Sequence, residues 1–355
     1  MTKATILYVL KLIFRPKDLL TRLALGMFKC GMTGLLGGWG LKLVFSEDVL
    51  KKYINIFDGV SISYQKCTDI ALIFGGVATF LALVLWCYCV FLAVRDLNKR
   101  DIALVCAYGF EGIDPRAAEK MLSARERTKI LPVDFKVFDS RNKNEILENS
   151  VFHRRIIKDR VYHSEATQAY VAALGSVPYL YMIGSFMRDG HLPLKLFDFD
   201  RSKNCFHPLD DVPTGAKLVK KFDGKKIESS SVVKPNENGR IALAISFTME
   251  IQNSELPAEF HGHALHTQLN TGFRFDNLPA EDEQAEIAKE LSFIISELKK
   301  SAEEVHLFVS AQASLVFRLG SLYQEGLHGV INIWSWNSSL NMYDWNLSID
   351  SKSVN

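Results

Sequence analysis

The chain changes rhythm near residue 100. Before that point apolar residues run on with few charges; after it they come in short bursts separated by polar turns. Ile70 to Val94, IALIFGGVATFLALVLWCYCVFLAV, is 25 residues without a charge. As a helix it outruns the roughly 30 Å hydrocarbon core of a bilayer, which predicts a membrane span. Leu23 to Phe45, ahead of it in the chain, is predicted as another span, with Lys29 and Lys42 near its ends, where they can snorkel. Cys30, Gly34 and Gly38 in the first span, and Ala71, Gly75 and Thr79 in the second, form small-residue rows that let helix backbones approach in lipid. Residues 4–14, ATILYVLKLIF, are too short to span and have basic neighbours; they predict an interfacial helix within residues 1–22. A signal peptide is the competing reading, but no A-x-A-like cleavage site follows the run.

From Asp101 onward the pattern is strand, helix, strand. Ile102–Phe110, Leu131–Asp139, Leu194–Asp200, Ile241–Ile251, Val305–Val309, Val330–Trp336 and Tyr343–Ile349 read as strands. Helical composition or spacing marks Pro115–Arg127, Pro178–Met187, Glu281–Ala302 and the stretch from Leu315 to Gly326. Ser164, Glu165 and Thr167 predict a capped helix running through Leu174. Residues 140–163 show only a high charge density, and Asp210–Gly239 reads as a hairpin or exposed linker.

The two halves of this region repeat. Ile102–Leu104 matches Ile241–Leu243, Ile183–Phe186 matches Leu319–Leu322, Gly190 matches Gly326, and Leu194–Arg201 matches Ile331–Ser338. The four offsets are nearly constant, which argues for duplication. Repeat 1 is expected over about 101–210, the linker over 211–239 and repeat 2 over 240–350. Strands alternating with helices imply α/β architecture with ligands beyond the carboxyl ends of parallel strands. A pseudo-twofold would set the equivalent strand ends side by side as one composite pocket.

Composition narrows the reading. A net charge of +2 gives no general surface for DNA or RNA polymers. The six cysteines show no framework spacing and read as reduced thiols. Five basic residues precede the first span and three follow the second, whereas the loop between them carries three with four acids. The positive-inside rule therefore places both termini in the cytoplasm. His261, His263 and His266 form H-x-H-x-x-H, but without a further ligand nearby a solvated loop is preferred to a metal site. No Walker loop, G-x-S-x-G, D-x-D phosphatase run or H-E-x-x-H is present, so no catalytic residue and no cofactor are assigned.

Ser314 with Leu319–Gly320 and Leu322, then the aromatic strand Ile331–Asn337, then Tyr343-x-Trp345-x-Leu347-x-Ile349, resembles the SAVED domain, a fused pair of CARF-like Rossmannoid units. The resemblance covers about 101–349, and with two preceding spans it extends to the transmembrane type of effector in CBASS anti-phage defence. It implies a cyclic oligonucleotide messenger, with a trinucleotide expected. It also implies self-association into ligand-dependent oligomers or filaments, a bacterial inner-membrane location, and membrane disruption leading to abortive infection. One departure concerns the turn after the repeat 2 strand, where family members often carry Pro and this chain has Gln312–Ala313–Ser314. A membrane-anchored enzyme acting on a nucleotide or lipid is the alternative.

A cyclic oligonucleotide needs amides at helix starts, cations, hydroxyls and aromatic platforms. The turn residues Ser310, Gln312 and Ser314 are the first candidates, with Ser176 at the matching turn of repeat 1. Tyr108 and Phe110, and Thr248 and Glu250, hold equivalent strand ends; Arg201 and Lys203 follow the Leu194–Asp200 strand. Trp334 and Trp336 alternate with Ile331 and Ile333 along a strand and are either core residues or candidates for stacking a base, Trp336 being retained as a site residue. Arg154, Arg155 and Arg274 are weaker cation candidates.

Overall fold

The structure, a computed structural model, describes residues 19–44, 58–98, 101–187, 192–350 and 353–355. The interfacial segment expected at residues 4–14, Gly190 and most of the loop between the first two helices lie outside the described residues. The chain divides into two compact units, Met1–Lys99 and Arg100–Asn355.

The first unit holds α1 (Leu19–Val44) and α2 (Asp58–Asn98). They pack through small residues. A Cβ on Gly75 would lie 2.9 Å from the Leu35 amide nitrogen and 3.1 Å from the Gly31 carbonyl oxygen, and a Cβ on Gly31 would collide with Thr79. Thr79 directs its hydroxyl back to the Gly75 carbonyl at 2.7 Å, so no polar atom is stranded at the contact. On α1 the contact runs through Gly31 and Gly34, while Cys30 is exposed. The surroundings of Gly38 and the side chain of Ala71 lie outside what is described. By length and composition, one segment among the described residues, Leu72–Leu92, can cross a membrane.

The second unit is built from two sheets. The first has the order β2-β1-β3-β4-β5, from β1 (Ile102–Tyr108), β2 (Ile130–Lys136), β3 (Gln168–Leu174), β4 (Leu194–Asp200) and β5 (Cys205–Pro208). The second contains β8 (Arg240–Ser246), β9 (Ala264–Leu269), β10 (Glu304–Ser310), β11 (Ile331–Asn337) and β12 (Met342–Ile349) in the order β9-β8-β10-β11-β12. The two five-strand orders are the same, and each ends in an antiparallel edge strand. The hairpin of β6 (Leu218–Phe222) and β7 (Lys225–Ile227), turning at Asp223–Gly224 with both φ positive, extends the second sheet beside β9.

Both sheets turn their inner faces to one continuous core. Ala103, Val105 and Ala107 of β1 and Ile241, Leu243 and Ile245 of β8 belong to the same buried cluster, with residues of α5 (Val177–Met187), α6 (Glu281–Lys299) and α7 (Ala313–Ser321) inside it. The alternate residues Ile102, Leu104 and Cys106 lie in a second cluster on the outer face of the first sheet. Strands buried on both sides need near-continuous apolar runs, which is why these segments are legible in the sequence.

α5 and α7 meet reciprocally. A Cβ on Gly184 would collide with the Phe317 carbonyl, and a Cβ on Gly320 would collide with the Tyr181 carbonyl. Both pairs relate by the same sequence offset as the repeat. Ser185 and Ser321, next along each helix, return their hydroxyls to the carbonyls of Met182 and Arg318, each at 2.7 Å. Two helices thus cross with backbone in contact, and the two repeats form one body.

Three expectations are corrected. Residues 168–174 form the strand β3 rather than the end of a helix; Ser164 closes only a turn, accepting from the Ala166 amide at 3.2 Å. Between β1 and β4 this Ala-rich run is buried on both faces, and packing overrides its helix propensity. The charged stretch 140–163 contains α4 (Lys143–Ile157) and a π turn, Lys158–Tyr162. Its buried stripe is Ile146, Ser150, His153 and Ile157, and two polar members hide the period. Burial between Phe135 and Tyr179 holds the His153 pKa down to about 4, so it packs as a neutral ring. Pro115–Arg127 splits into a 3-10 turn (Pro115–Met121) and α3 (Ala124–Lys129), because Ser123 and Glu126 form a capping box that starts a new helix.

An alanine in an exposed helix is worth up to about 1 kcal/mol over glycine. At this crossing the sign should reverse: Gly184→Ala and Gly320→Ala should each destabilise the protein by about 1–3 kcal/mol through overpacking. Chemical denaturation of the full chain measures this, and unchanged or higher midpoints would show that the helices do not touch here.

Candidate functional site

The carboxyl ends of the central strands are stitched together in the same way in both repeats. In repeat 2 the amides of Phe247 and Thr248 donate to the Ser310 carbonyl at 2.8 and 2.9 Å. The hydroxyls of Thr248 and Ser310 lie 2.8 Å apart, and the Met249 amide donates to the Ser310 hydroxyl at 3.1 Å. In repeat 1 the Gly109 amide donates to the Leu174 carbonyl at 2.8 Å, and the Ser176 amide donates to the Ser140 hydroxyl at 2.8 Å. A Cβ on Gly109 would collide with Gly175, so glycine is what lets these turns close. Thr248, Ser310 and Ser176 therefore sit where the sequence placed them, at strand ends, with hydroxyls already engaged within the protein.

Gln312 and Ser314 behave differently from the expectation that they face a ligand. Gln312 is buried at the start of α7; its Oε1 accepts from the Leu278 amide at 3.0 Å and its Nε2 donates to Asp198 at 2.9 Å. Its carboxamide thus joins α7 to β4 of the other repeat. Ser314 is also buried and accepts from Gln284 Nε2 at 2.9 Å. Asp198 is raised above the usual carboxylate range by its burial, and Gln312 and the Phe199 amide at 2.9 Å supply its donors. Nearby, Arg318 pairs with Glu281, which accepts from the β4 Leu196 amide at 3.4 Å. A buried polar seam therefore runs between the repeats.

The other candidates divide into covered and exposed groups. The Tyr108 hydroxyl donates to Asp114 at 3.1 Å, with Lys136 over its ring; the Arg141 guanidinium lies 5.6 Å from the Phe110 ring centre. Trp336 packs edge-on to Tyr343 at 5.1 Å, and Trp334 stacks on Phe308 at 5.3 Å, both against the outer-face cluster. Glu250 is exposed. Lys203 is exposed and pairs with Asp200 at 3.0 Å. The Ser202 hydroxyl and Lys203 hold the Asp200 carboxyl well below the usual range. Arg201 is exposed and lies 5.5 Å from the Phe275 ring centre. The three histidines each bond protein groups, His261 the Leu256 carbonyl, His263 the Lys234 carbonyl and His266 the Asn253 side chain. His266 lies on β9, not in the expected loop.

Sequence reasoning missed the loop from Asn270 to Pro279. Asn277, fully buried, donates to the carbonyls of Phe247 and Gly272 at 2.6 and 2.8 Å and accepts from Arg274 at 2.9 Å. With the Leu278 bond to Gln312, this pins the loop to the ends of both β8 and α7. Phe275 stands out from it, 59% exposed. The matching turn of repeat 1 is Phe138–Asp139–Ser140, against Phe275–Asp276–Asn277, and Phe138 is 74% exposed. The signal was an F-D-S/N match at the repeat offset. The Ser140 amide donates to the Gly109 carbonyl at 3.0 Å and Asn277 to the Phe247 carbonyl, which ties these turns to equivalent strand ends; each half thus carries one exposed phenylalanine, with Arg201 over Phe275 and Arg141, three residues beyond Phe138, over Phe110. The chemistry on offer is aromatic platforms beside cations, with amides and hydroxyls behind them.

Residues 152–349 match the family model of the SMODS-associated and fused to various effectors sensor domain, SAVED. Among solved structures, an Acinetobacter baumannii Cap4 SAVED/CARF-domain containing receptor with the cyclic trinucleotide 2'3'3'-cAAA aligns at 14% identity and TM-score 0.46, covering 81% of this chain and 61% of that one. The same receptor with 3'3'3'-cAAA aligns at 14% identity and TM-score 0.47 with the same coverage. A Moraxella osloensis Cap4 receptor aligns at 13% and 0.43, covering 80% and 60%. This chain thus spans about three-fifths of the length of those receptors. No curated protein matches it.

Asn277→Ala should release the loop, costing about 1–3 kcal/mol per buried group left without a partner. Hydrogen exchange should rise in the amides of residues 272–278; full protection in the variant would remove Asn277 as the anchor.

Proposed function

This chain belongs to the SAVED sensor-domain family, and from that premise we propose that it is a membrane-anchored CBASS effector that binds a cyclic oligonucleotide, with a cyclic trinucleotide as the expected ring. The observation that carries the reading is the family match over residues 152–349, which runs from α4 to β12 and takes in strand ends of both repeats. A cyclic oligonucleotide presents phosphates and base faces together. Arg201 and Arg141 can meet phosphate, while Phe138 and Phe275 can each stack a base, and the stitched turns keep these groups at fixed separation.

The same proposal includes no catalytic step in the sensor. Binding drives self-association, and α1 and α2, with the apolar Leu72–Leu92 segment, then cluster and breach the inner membrane, killing the infected cell. Two helices from one chain cannot line a pore, so the breach requires several chains. The proposed orientation, with both termini cytoplasmic, gives the sensor access to a cytosolic messenger.

The test is a panel of cyclic di-, tri- and tetranucleotides titrated against the full chain in detergent, following binding and particle size together. A trinucleotide is expected to bind and to enlarge the particle. Phe138→Ala and Phe275→Ala should each weaken binding by the ~1–3 kcal/mol of a base–aromatic stack. No binding by any ring would sink the reading. Replacing residues 19–98 with unrelated helices should abolish toxicity; retained toxicity would favour an anchored enzyme.

A further inference from the structure

A cavity lies at the opposite end of α5 from the strand ends. Its volume is about 570 Å³, and its wall includes Arg154, Arg155, Lys158, His163, Tyr162 and Tyr323. The first five come from α4 and the turn that follows it; Tyr323 comes from repeat 2, just beyond α7. α5 has 11 residues, so Ser185 and Phe186 of this wall sit roughly 15 Å from the strand-end turns. The cavity is therefore separate from the site proposed for the messenger.

The π turn Lys158–Tyr162 shapes it. The His163 amide donates to the Lys158 carbonyl at 3.1 Å, widening the helix by one residue, and Tyr162 donates its hydroxyl to the Phe186 carbonyl at 2.7 Å. Arg154 and Lys158 then stand one turn apart as like charges, an arrangement mildly unfavourable to the helix itself. Neither belongs to the buried stripe that holds α4 in place. Lys158 makes no ion pair among the described residues. Arg155 pairs with Asp159 at 3.6 Å, but both are exposed and such pairs are weak. Asp350, the one acid among the described lining residues, accepts from the amide and the hydroxyl of Ser353 at 2.6 and 3.1 Å.

Arg155 and Lys158 are exposed, stand outside the buried stripe that anchors α4 and line a cavity of ligand size, which puts positive charge there that the fold does not need. We infer that this cavity binds a phosphate group, with Arg155 and Lys158 as its principal cationic contacts and the tyrosine rings walling the remainder of the ligand. A soluble phosphate ester and the headgroup of an anionic lipid present the same chemistry. Val151, on the rim and 77% exposed, gives an apolar edge beside the cations.

The experiment uses the full chain in nonionic detergent and two probes, inorganic pyrophosphate and short-chain phosphatidylglycerol, with phosphatidylcholine as the uncharged control. Saturable binding of one probe is expected, and the probe that binds names the source. The double variant Arg155→Gln, Lys158→Gln should weaken it at least tenfold while its melting temperature stays unchanged, since both side chains are exposed. Excess cyclic trinucleotide should not displace the probe. Absence of saturable binding by either probe, undiminished binding by the double variant, or displacement by the trinucleotide would overturn the assignment.

Discussion

The crossing of α5 and α7 is the contact on which the rest of the sensor depends. Gly184 lies against the Phe317 carbonyl and Gly320 against the Tyr181 carbonyl, so each helix supplies the gap that the other's backbone fills. Any side chain at either position would push the helices apart and open the core that both sheets share. Because the contact is reciprocal, it fixes the pseudo-twofold itself. The serines that follow each glycine return their hydroxyls to their own helix, which keeps the close interface free of unsatisfied donors.

With the crossing fixed, the end of β4 comes to rest beside the start of α7. That proximity buries Asp198, and a buried carboxylate must find donors. Gln312 meets that requirement, and it also takes the Leu278 amide, drawing in the loop that carries Phe275. One amide side chain thus links β4, α7 and the loop. The same bonds keep Gln312 from the ligand-facing role that its position in the sequence suggests. Under the proposed function, recognition passes outward to the exposed phenylalanines and arginines, while the buried polar seam keeps their spacing.

What was legible in the sequence follows from this division. Central strands carry uninterrupted apolar runs, and the repeat appears in them as matched triplets and as the Leu194–Asp200 and Ile331–Asn337 pair. β3 was misread because its alanines and an upstream Ser–Glu–Thr turn imitate a helix start, and only its place between two strands decides otherwise. α4 was invisible because Ser150 and His153 stand in its buried stripe. The Phe138 and Phe275 turns were passed over since a short F-D-S/N match between a strand and a helix carries no periodicity. Tryptophans on β11 looked like platforms, yet their rings complete the outer face of the second sheet.

The central claim is that two repeats locked at one crossing present one composite site. Binding stoichiometry tests it most directly. Calorimetric titration of the full chain with the cyclic trinucleotide that binds best should end at one ring per chain, and Phe138→Ala and Phe275→Ala should each weaken that single event. Two independent rings per chain, one answering only to Phe138 and the other only to Phe275, would contradict the account.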